Sequence, residues 1–185
     1  MRHELIGIAG TFAAGKDTIT NELVKRLGYT HISTSEIVRE IARNEYGSIE
    51  RPVMFKVADT HRKRYGADYF VRRALERERP LIITGLRSPG EARAIQSAGG
   101  LLIFVDAPIE LRYQRMVDRQ RDKEAELTLE QFRENEQAEW HSGDGDDDFS
   151  FRTIKEIADL QLDSSKPQDE YISDAMRAIM NTFAR

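Results

Sequence analysis

The stretch Gly7-Ile8-Ala9-Gly10-Thr11-Phe12-Ala13-Ala14-Gly15-Lys16-Asp17-Thr18 constrains this chain more than any other. It follows a short apolar run at residues 5–8 and opens an amphipathic segment at 19–27. A strand, a glycine loop carrying lysine and then a helix make up a phosphate-binding P-loop. Gly10 and Gly15 let backbone N–H groups converge on phosphate oxygens, where a side chain would obstruct them. The helix N-terminus adds partial positive charge, and Lys16 adds a full one for β- and γ-phosphates. The usual loop places Ser or Thr directly after the lysine, with its hydroxyl on Mg²⁺. Here Asp17 fills that slot and the hydroxyl comes one residue later, at Thr18. The plain alternative is a glycine-rich strand-to-helix turn with an incidental lysine.

The 185 residues are enough for one domain with a full core. Lys and Arg number 28 and Asp and Glu 32, a net charge of −4. That balance gives no global pull toward nucleic acid or an anionic membrane. The absence of cysteine excludes disulfides, zinc–thiolate sites and cysteine nucleophiles. Met1-Arg2-His3-Glu4 leads into a strand too short for a signal peptide, and no apolar run reaches membrane-spanning length. A cytoplasmic protein is the default expectation.

Apolar runs at 5–9, 81–84 and 101–105 read as buried parallel strands, with weaker ones at 29–32 and 160–162. Helical patterns separate them at 18–27, 35–44, 52–65, 69–77, 89–98, 109–121, 129–140, 153–159 and 170–183. This alternation predicts an α/β fold: a three-layer sandwich whose five-stranded parallel sheet has helices on both faces. Ligands in such sheets sit at the carboxyl ends of the strands, where Gly10, Arg87 and Asp106 fall. Ser35 is expected to cap the helix from Glu36, and Thr128 the helix at Leu129 with Gln131 three residues on. Gly28 and Gly66 read as helix terminators. The acidic stretch 142–148 lacks EF-hand spacing and reads as a solvated loop.

Several segments follow the order seen in adenylate kinase and dephospho-CoA kinase, the nucleotide-kinase branch of P-loop proteins. Gly15-Lys16-Asp17-Thr18 resembles the G-K-G-T of adenylate kinase, which also lacks the hydroxyl directly after lysine. His31 through Arg39 resembles its acceptor segment H-I-S-T-G-D-x-x-R. Val105-Asp106-Ala107-Pro108, followed by Arg115, resembles the strand entering its lid helix, and dephospho-CoA kinases carry a similar V-D-A-P element. A largely archaeal, dephospho-CoA-kinase-like group resembles the chain more closely, in Thr84 through Glu91, in Arg112 and Arg115 to Arg121, and in Ile157-Ala158-Asp159. The resemblance spans nearly the whole chain.

It implies ATP held by Gly10, Ala13, Ala14, Gly15, Lys16, Asp17 and Thr18, with Mg²⁺ near Asp17 or Asp106. Asp17 could equally cap the helix, and Thr18 could be a plain helix-opening residue. Thr34 and Ser35 can donate hydrogen bonds to an acceptor, and Arg39, one turn on, can clamp a phosphate. Glu36 takes the position of a family carboxylate that orients or deprotonates an attacking hydroxyl; otherwise it is a favourable first-turn charge. Arg87, just past a buried strand, suits an acceptor phosphate, or else a surface ion pair with Glu91. Arg115 is expected to stack on adenine, and Arg119 and Arg121 to neutralise the transferring phosphoryl group. The bland reading of these arginines is an exposed helix paired with acids. A second basic cluster, Arg62, Lys63, Arg64, Arg72 and Arg73, lines the acceptor pocket or forms a solvated face. Trp140 and His141 read as packing residues.

The family aspartate at the end of the third strand is replaced by Thr84, which weakens the support for Mg²⁺. The expected activity is ATP- and Mg²⁺-dependent phosphoryl transfer to a nucleotide-like small molecule, a nucleoside monophosphate or dephospho-CoA. Residues 1–185 form one domain in this reading, with an acceptor-binding insertion at about 33–77 and a lid at about 116–140. A monomer or homodimer, acting on neither nucleic acid nor membrane, completes the expectation. Thr84 also motivates an alternative: a nucleotide-binding regulator or slow NTPase without an acceptor.

Overall fold

Strand pairing follows from the apolar runs. In the computed structural model, which describes residues 3–119, 127–143 and 145–183, five strands form one sheet. They are β1 (Leu5–Gly10), β2 (Thr30–Ser33), β3 (Leu81–Leu86), β4 (Leu101–Asp106) and β5 (Leu160–Asp163). Their order is β2-β3-β1-β4-β5, and every pair is parallel. Parallel neighbours need long crossovers, so helices must cover both faces. The three runs read most clearly from sequence take the three central places, where a strand is buried on both sides.

The pleat sorts alternate side chains into two cores. Leu5, Leu81, Ile83, Leu102 and Phe104 face one side. There they meet α2 (Thr34–Tyr46), α3 (Arg51–Tyr65), α4 (Tyr69–Ala74), α5 (Pro89–Ser97) and α8 (Phe151–Ile157). Ile6, Ile8, Ile82, Ile103 and Val105 face the other side, against Ile19 and Leu23 of α1 (Lys16–Leu27) and Tyr171, Ala175 and Ile179 of α9 (Gln168–Thr182). Each fully buried Ile or Leu contributes roughly 1.5–3 kcal/mol. A small third cluster joins Ala13 of the loop to Met116 of α6 (Ile109–Arg119) and Phe132 of α7 (Leu129–Trp140). Among the described residues, no helix is long and apolar enough to cross a membrane.

Most element bounds shift from the expected ones by one to three residues. The α2 cap is Ser33 rather than Ser35: the Ser33 side chain takes the helix N–H groups and Glu36 returns a bond to the Ser33 N–H. The three-residue spacing between Ser33 and Glu36 satisfies this reciprocal box, which a cap at Ser35 would break. Thr128 and Gln131 form the expected box on α7, and Gly28 and Gly66 end α1 and α3 as expected. Residue 121 and part of the expected lid lie outside the described residues.

The α5 cap carries more than helix ends. Glu91 is fully buried, and its Oε2 accepts from the N–H groups of Ser88 and Arg87 at 3.3 and 2.8 Å. Its Oε1 pairs with Arg62 of α3 at 2.9 Å, tying the α3 layer to the strand–helix turn beside the cleft. Arg62 in turn lies near the rings of Phe70 and Phe149, at 5.3 and 5.5 Å. Glu91→Ala leaves the Arg62 charge buried without its partner and is expected to cost about 3–5 kcal/mol. Urea denaturation measures this; a loss under about 1 kcal/mol would contradict the role given to the pair.

Candidate functional site

Two glycines shape the loop between β1 and α1. Gly10 has φ +148, and a Cβ there would stand 2.1 Å from the Val105 carbonyl oxygen. Only glycine lets the end of β1 pass β4 this closely. Gly15, at φ +84, is the left-handed cap from which α1 starts. Ala13 holds φ 58 without being glycine, a conformation that costs roughly 1–2 kcal/mol. Its packing under Met116 and Phe132 sustains it. Among the described residues, the N–H groups of Ala13, Gly15, Lys16 and Asp17 have no acceptor. Unsatisfied donors at a helix start form a concentrated positive field that suits an anion.

Lys16 folds over the loop that precedes it. Its Nζ donates to the carbonyls of Gly10 and Thr11 at 2.9 and 2.6 Å. The residue is half-buried, but the ammonium itself lies enclosed against those carbonyls. Burial lowers its pKa from 10.5 to about 8; Asp17 and Glu139 pull it back up, while Arg87 and Arg112 push it down. These four charges are therefore Lys16's electrostatic neighbours.

Behind the loop, Asp106 at the end of β4 gathers three donors. Its Oδ1 accepts from Thr11 Oγ1 and the Ala107 N–H, at 2.8 and 2.9 Å, and its Oδ2 pairs with Lys155 at 2.8 Å. Burial pushes its pKa up, but the bonds from Lys155, Thr11 and Ala107 outweigh that and hold it below 3.8. On the other flank, Ser164 Oγ donates to the Ala14 carbonyl at 2.7 Å. Arg115 holds Ser164 through its hydroxyl and carbonyl, at 3.0 and 2.6 Å. Arg115 is thus engaged with the β5–α9 turn, a partner the sequence did not suggest.

Arg112 is buried and supports the loop from the side. It donates to the carbonyls of Ala107 and Phe12 at 2.7 and 3.3 Å and grips Glu136 of α7 with both Nη atoms. One turn along α7, Glu139 pairs with Arg87 Nη1. The alternative reading of Arg87, a surface pair with Glu91, does not form, because Glu91 is buried and spent on Arg62; only the Arg87 backbone N–H reaches it. Arg87 also lies 5.8 Å from the Phe149 ring.

Around α2, Thr34 is buried and donates to the Gly85 carbonyl at 2.9 Å, while Ser35 and Ser33 share a hydroxyl contact of 2.9 Å. Glu36 is committed through Oε2 to the Ser33 N–H at 3.0 Å. Arg39 and Arg119 are exposed and have no ion-pair partner among the described residues. At the position of the missing acid, Thr84 Oγ1 meets His31 Nε2 at 2.9 Å. Burial draws the His31 pKa below its ordinary 6.5, against the pull of Glu36 and Asp17.

The structure thus brings Lys16, Asp17 and Arg87 into one electrostatic neighbourhood with Arg112 and Glu139. It shows Thr18 half-buried in the first turn of α1. Sequence reasoning missed Lys155, Ser164, Glu136 and Glu139. Ser164 had a signal, since it follows a strand's carboxyl end. The other three sit on helices remote in sequence and had none.

Asp106 has a depressed folded-state pKa, so its contribution to stability is present above 3.8 and is lost as pH falls through the lower folded value. Asp106→Asn is expected to lower stability near neutral pH and to flatten the decline below pH 3.8. Urea midpoints across pH measure this, and an unchanged acid limb would contradict it.

Comparisons with known proteins bear on the family and the fold. The profile of the family described as AAA domain matches residues 6–140. A cytidylate kinase of Natronomonas pharaonis is 25% identical over 191 residues, covering 97% of this chain and 91% of that protein. A UPF0200/UPF0201 protein of Archaeoglobus fulgidus is 22% identical over 98% of this chain, which spans only 56% of that protein's length. Among solved structures, the shikimate kinase from Acinetobacter baumannii in complex with shikimate superposes with a TM-score of 0.63. Sequence identity to it is 16%, over 97% of this chain and 94% of that one, and the likeness speaks for the fold alone. With its five-stranded parallel sheet and glycine–lysine loop, the chain belongs to the AAA domain family of P-loop NTPases.

Proposed function

We propose that the protein transfers the γ-phosphoryl group of ATP to a nucleotide-like small molecule, a nucleoside monophosphate or dephospho-CoA. The observation that carries the reading is the set of unpaired N–H groups around Lys16 at the start of α1. The cytidylate kinase relative supports a nucleotide acceptor. Lys16 exchanges the Gly10 and Thr11 carbonyls for β- and γ-phosphate oxygens. The loop amides of Ala13, Ala14 and Gly15 and the side chain of Thr18 complete the donor site. An acceptor oxygen attacks the γ-phosphorus in line, the bond to the bridging oxygen breaks and ADP leaves; a hydroxyl acceptor gives its proton to the Glu36 carboxylate. Arg87 and Arg39 hold the acceptor's own phosphate, and Arg119 offsets charge on the group in transfer.

Glu36 enters this reading chiefly through α2. Its carboxylate fixes the Ser33 turn that presents Thr34 and Ser35, and an anionic phosphate acceptor needs no base. Magnesium fits as an ion held mainly by phosphate oxygens. Asp106 already has Thr11, Ala107 and Lys155 on its two oxygens, which leaves Asp17 as the carboxylate free to take part. When bound, the ion supplies neutralising charge to the phosphates. The neutral Thr84–His31 pair favours a second reading, a nucleotide-binding regulator or slow NTPase.

ADP release measured against a panel of nucleoside monophosphates, dephospho-CoA and small hydroxy acids separates the two. Acceptor-stimulated turnover is expected, with Arg39→Ala and Arg87→Ala each raising the acceptor KM or lowering kcat. ATP binding without stimulation by any nucleotide acceptor would overturn the kinase reading.

Lys16→Met is expected to weaken ADP binding by roughly 10- to 100-fold, the worth of a charge-assisted hydrogen bond. At neutral pH the wild-type protein should bind ADP without proton uptake at Lys16, which is already mostly charged there. Above pH 8 affinity should fall, because binding must first return a proton to the amine. Calorimetry in buffers of different ionisation enthalpy checks this, and no proton uptake at pH 9 would contradict it.

A further inference from the structure

Two carboxylates of α7, one turn apart, reach two arginines beside the loop, and their surroundings differ. Arg112 is buried, meets the partly buried Glu136 through two donors and is linked to the Phe12 and Ala107 carbonyls, so that pair is a permanent staple. The Arg87–Glu139 pair is open: the side chains are 44% and 30% exposed, and Glu139 uses Nη1 alone. Arg87's main chain is nonetheless fixed, by its N–H on Glu91 and its carbonyl on the Ser150 N–H. Trp140, next along α7, packs against the core beside Lys155. Helix and strand end are therefore both held, and only the side-chain contact between them is free to exchange.

We propose that Glu139 is an internal counter-ion that occupies the acceptor's anion position on Arg87 and is displaced by the acceptor's phosphate. The inference rests on the acceptor role given to Arg87 above. An exposed monodentate pair is worth at most about 1 kcal/mol, so a phosphate dianion that engages the guanidinium through two donors outcompetes it. Glu139 thus sets acceptor affinity without touching the acceptor. It keeps the cleft cation neutralised while the site is empty, at the cost of a weaker acceptor complex.

The test is titration of the full chain with inorganic phosphate under saturating ADP, followed by fluorescence of Trp140, the only tryptophan. Glu139→Gln is expected to tighten phosphate binding about two- to fivefold, the displacement cost of an exposed pair. Arg87→Ala should abolish both the binding and the gain. Unchanged or weaker binding in Glu139→Gln would overturn the proposal, as would a gain that survives Arg87→Ala or the absence of any Arg87-dependent binding. A purely structural role predicts no gain in affinity. Failure of ADP to bind would count against the kinase reading alone, since the Arg87-dependent gain is read with phosphate whether or not the loop is filled.

Discussion

The close passage of Gly10 beneath the Val105 carbonyl sets the rest of the molecule. Because β1 and β4 meet there without a side chain between them, the chain can turn out of the sheet within a few residues and start α1 at Gly15. That turn leaves backbone donors unpaired at the sheet's carboxyl edge and brings Asp106 against Thr11. Three later contacts brace this arrangement. Ser164 ties the turn after β5 to Ala14, Arg112 ties α6 to Phe12, and Phe132 covers Ala13.

Four ion pairs stand around the cleft before any ligand arrives. Lys155 sits on Asp106, Glu136 on Arg112, Glu139 on Arg87 and Glu91 on Arg62. The pairs built on the buried Glu91 and the buried Arg112 cannot be broken cheaply, because the buried residue would be left as an isolated charge out of water. They act as scaffold. Arg87–Glu139, with side chains 44% and 30% exposed, is the most open of the four and the one at which a ligand can compete, which separates residues that hold the cleft's shape from those that face its contents.

Much of the fold was legible because the signals were local. The runs at 5–9, 81–84 and 101–105 are apolar without alternation, which is what a strand buried on both faces requires. The Thr128–Gln131 spacing announced a helix start, and the Gly10–Lys16 spacing announced a phosphate loop. The Ser33–Glu36 spacing was equally present, but Ser35 competed with it as a cap, and only the formed box distinguished them. Arg87 was legible as a residue at a strand end; that Glu91 would turn inward to Arg62 was not.

By itself, the sequence determined the parallel α/β architecture, the loop with its lysine, and the set of arginines near the strand ends. Periodicity and short spacings report contacts within a few residues, and those features are made of such contacts. Tertiary structure alone decided which acid meets which base. Lys155 reaches Asp106 across 49 residues, Glu139 reaches Arg87 across 52, and Ser164 reaches Ala14 across 150. A charge carries no address in the chain. Its partner is chosen by the sheet order and helix packing that place the two within hydrogen-bonding distance, and by the burial that makes leaving either unpaired costly.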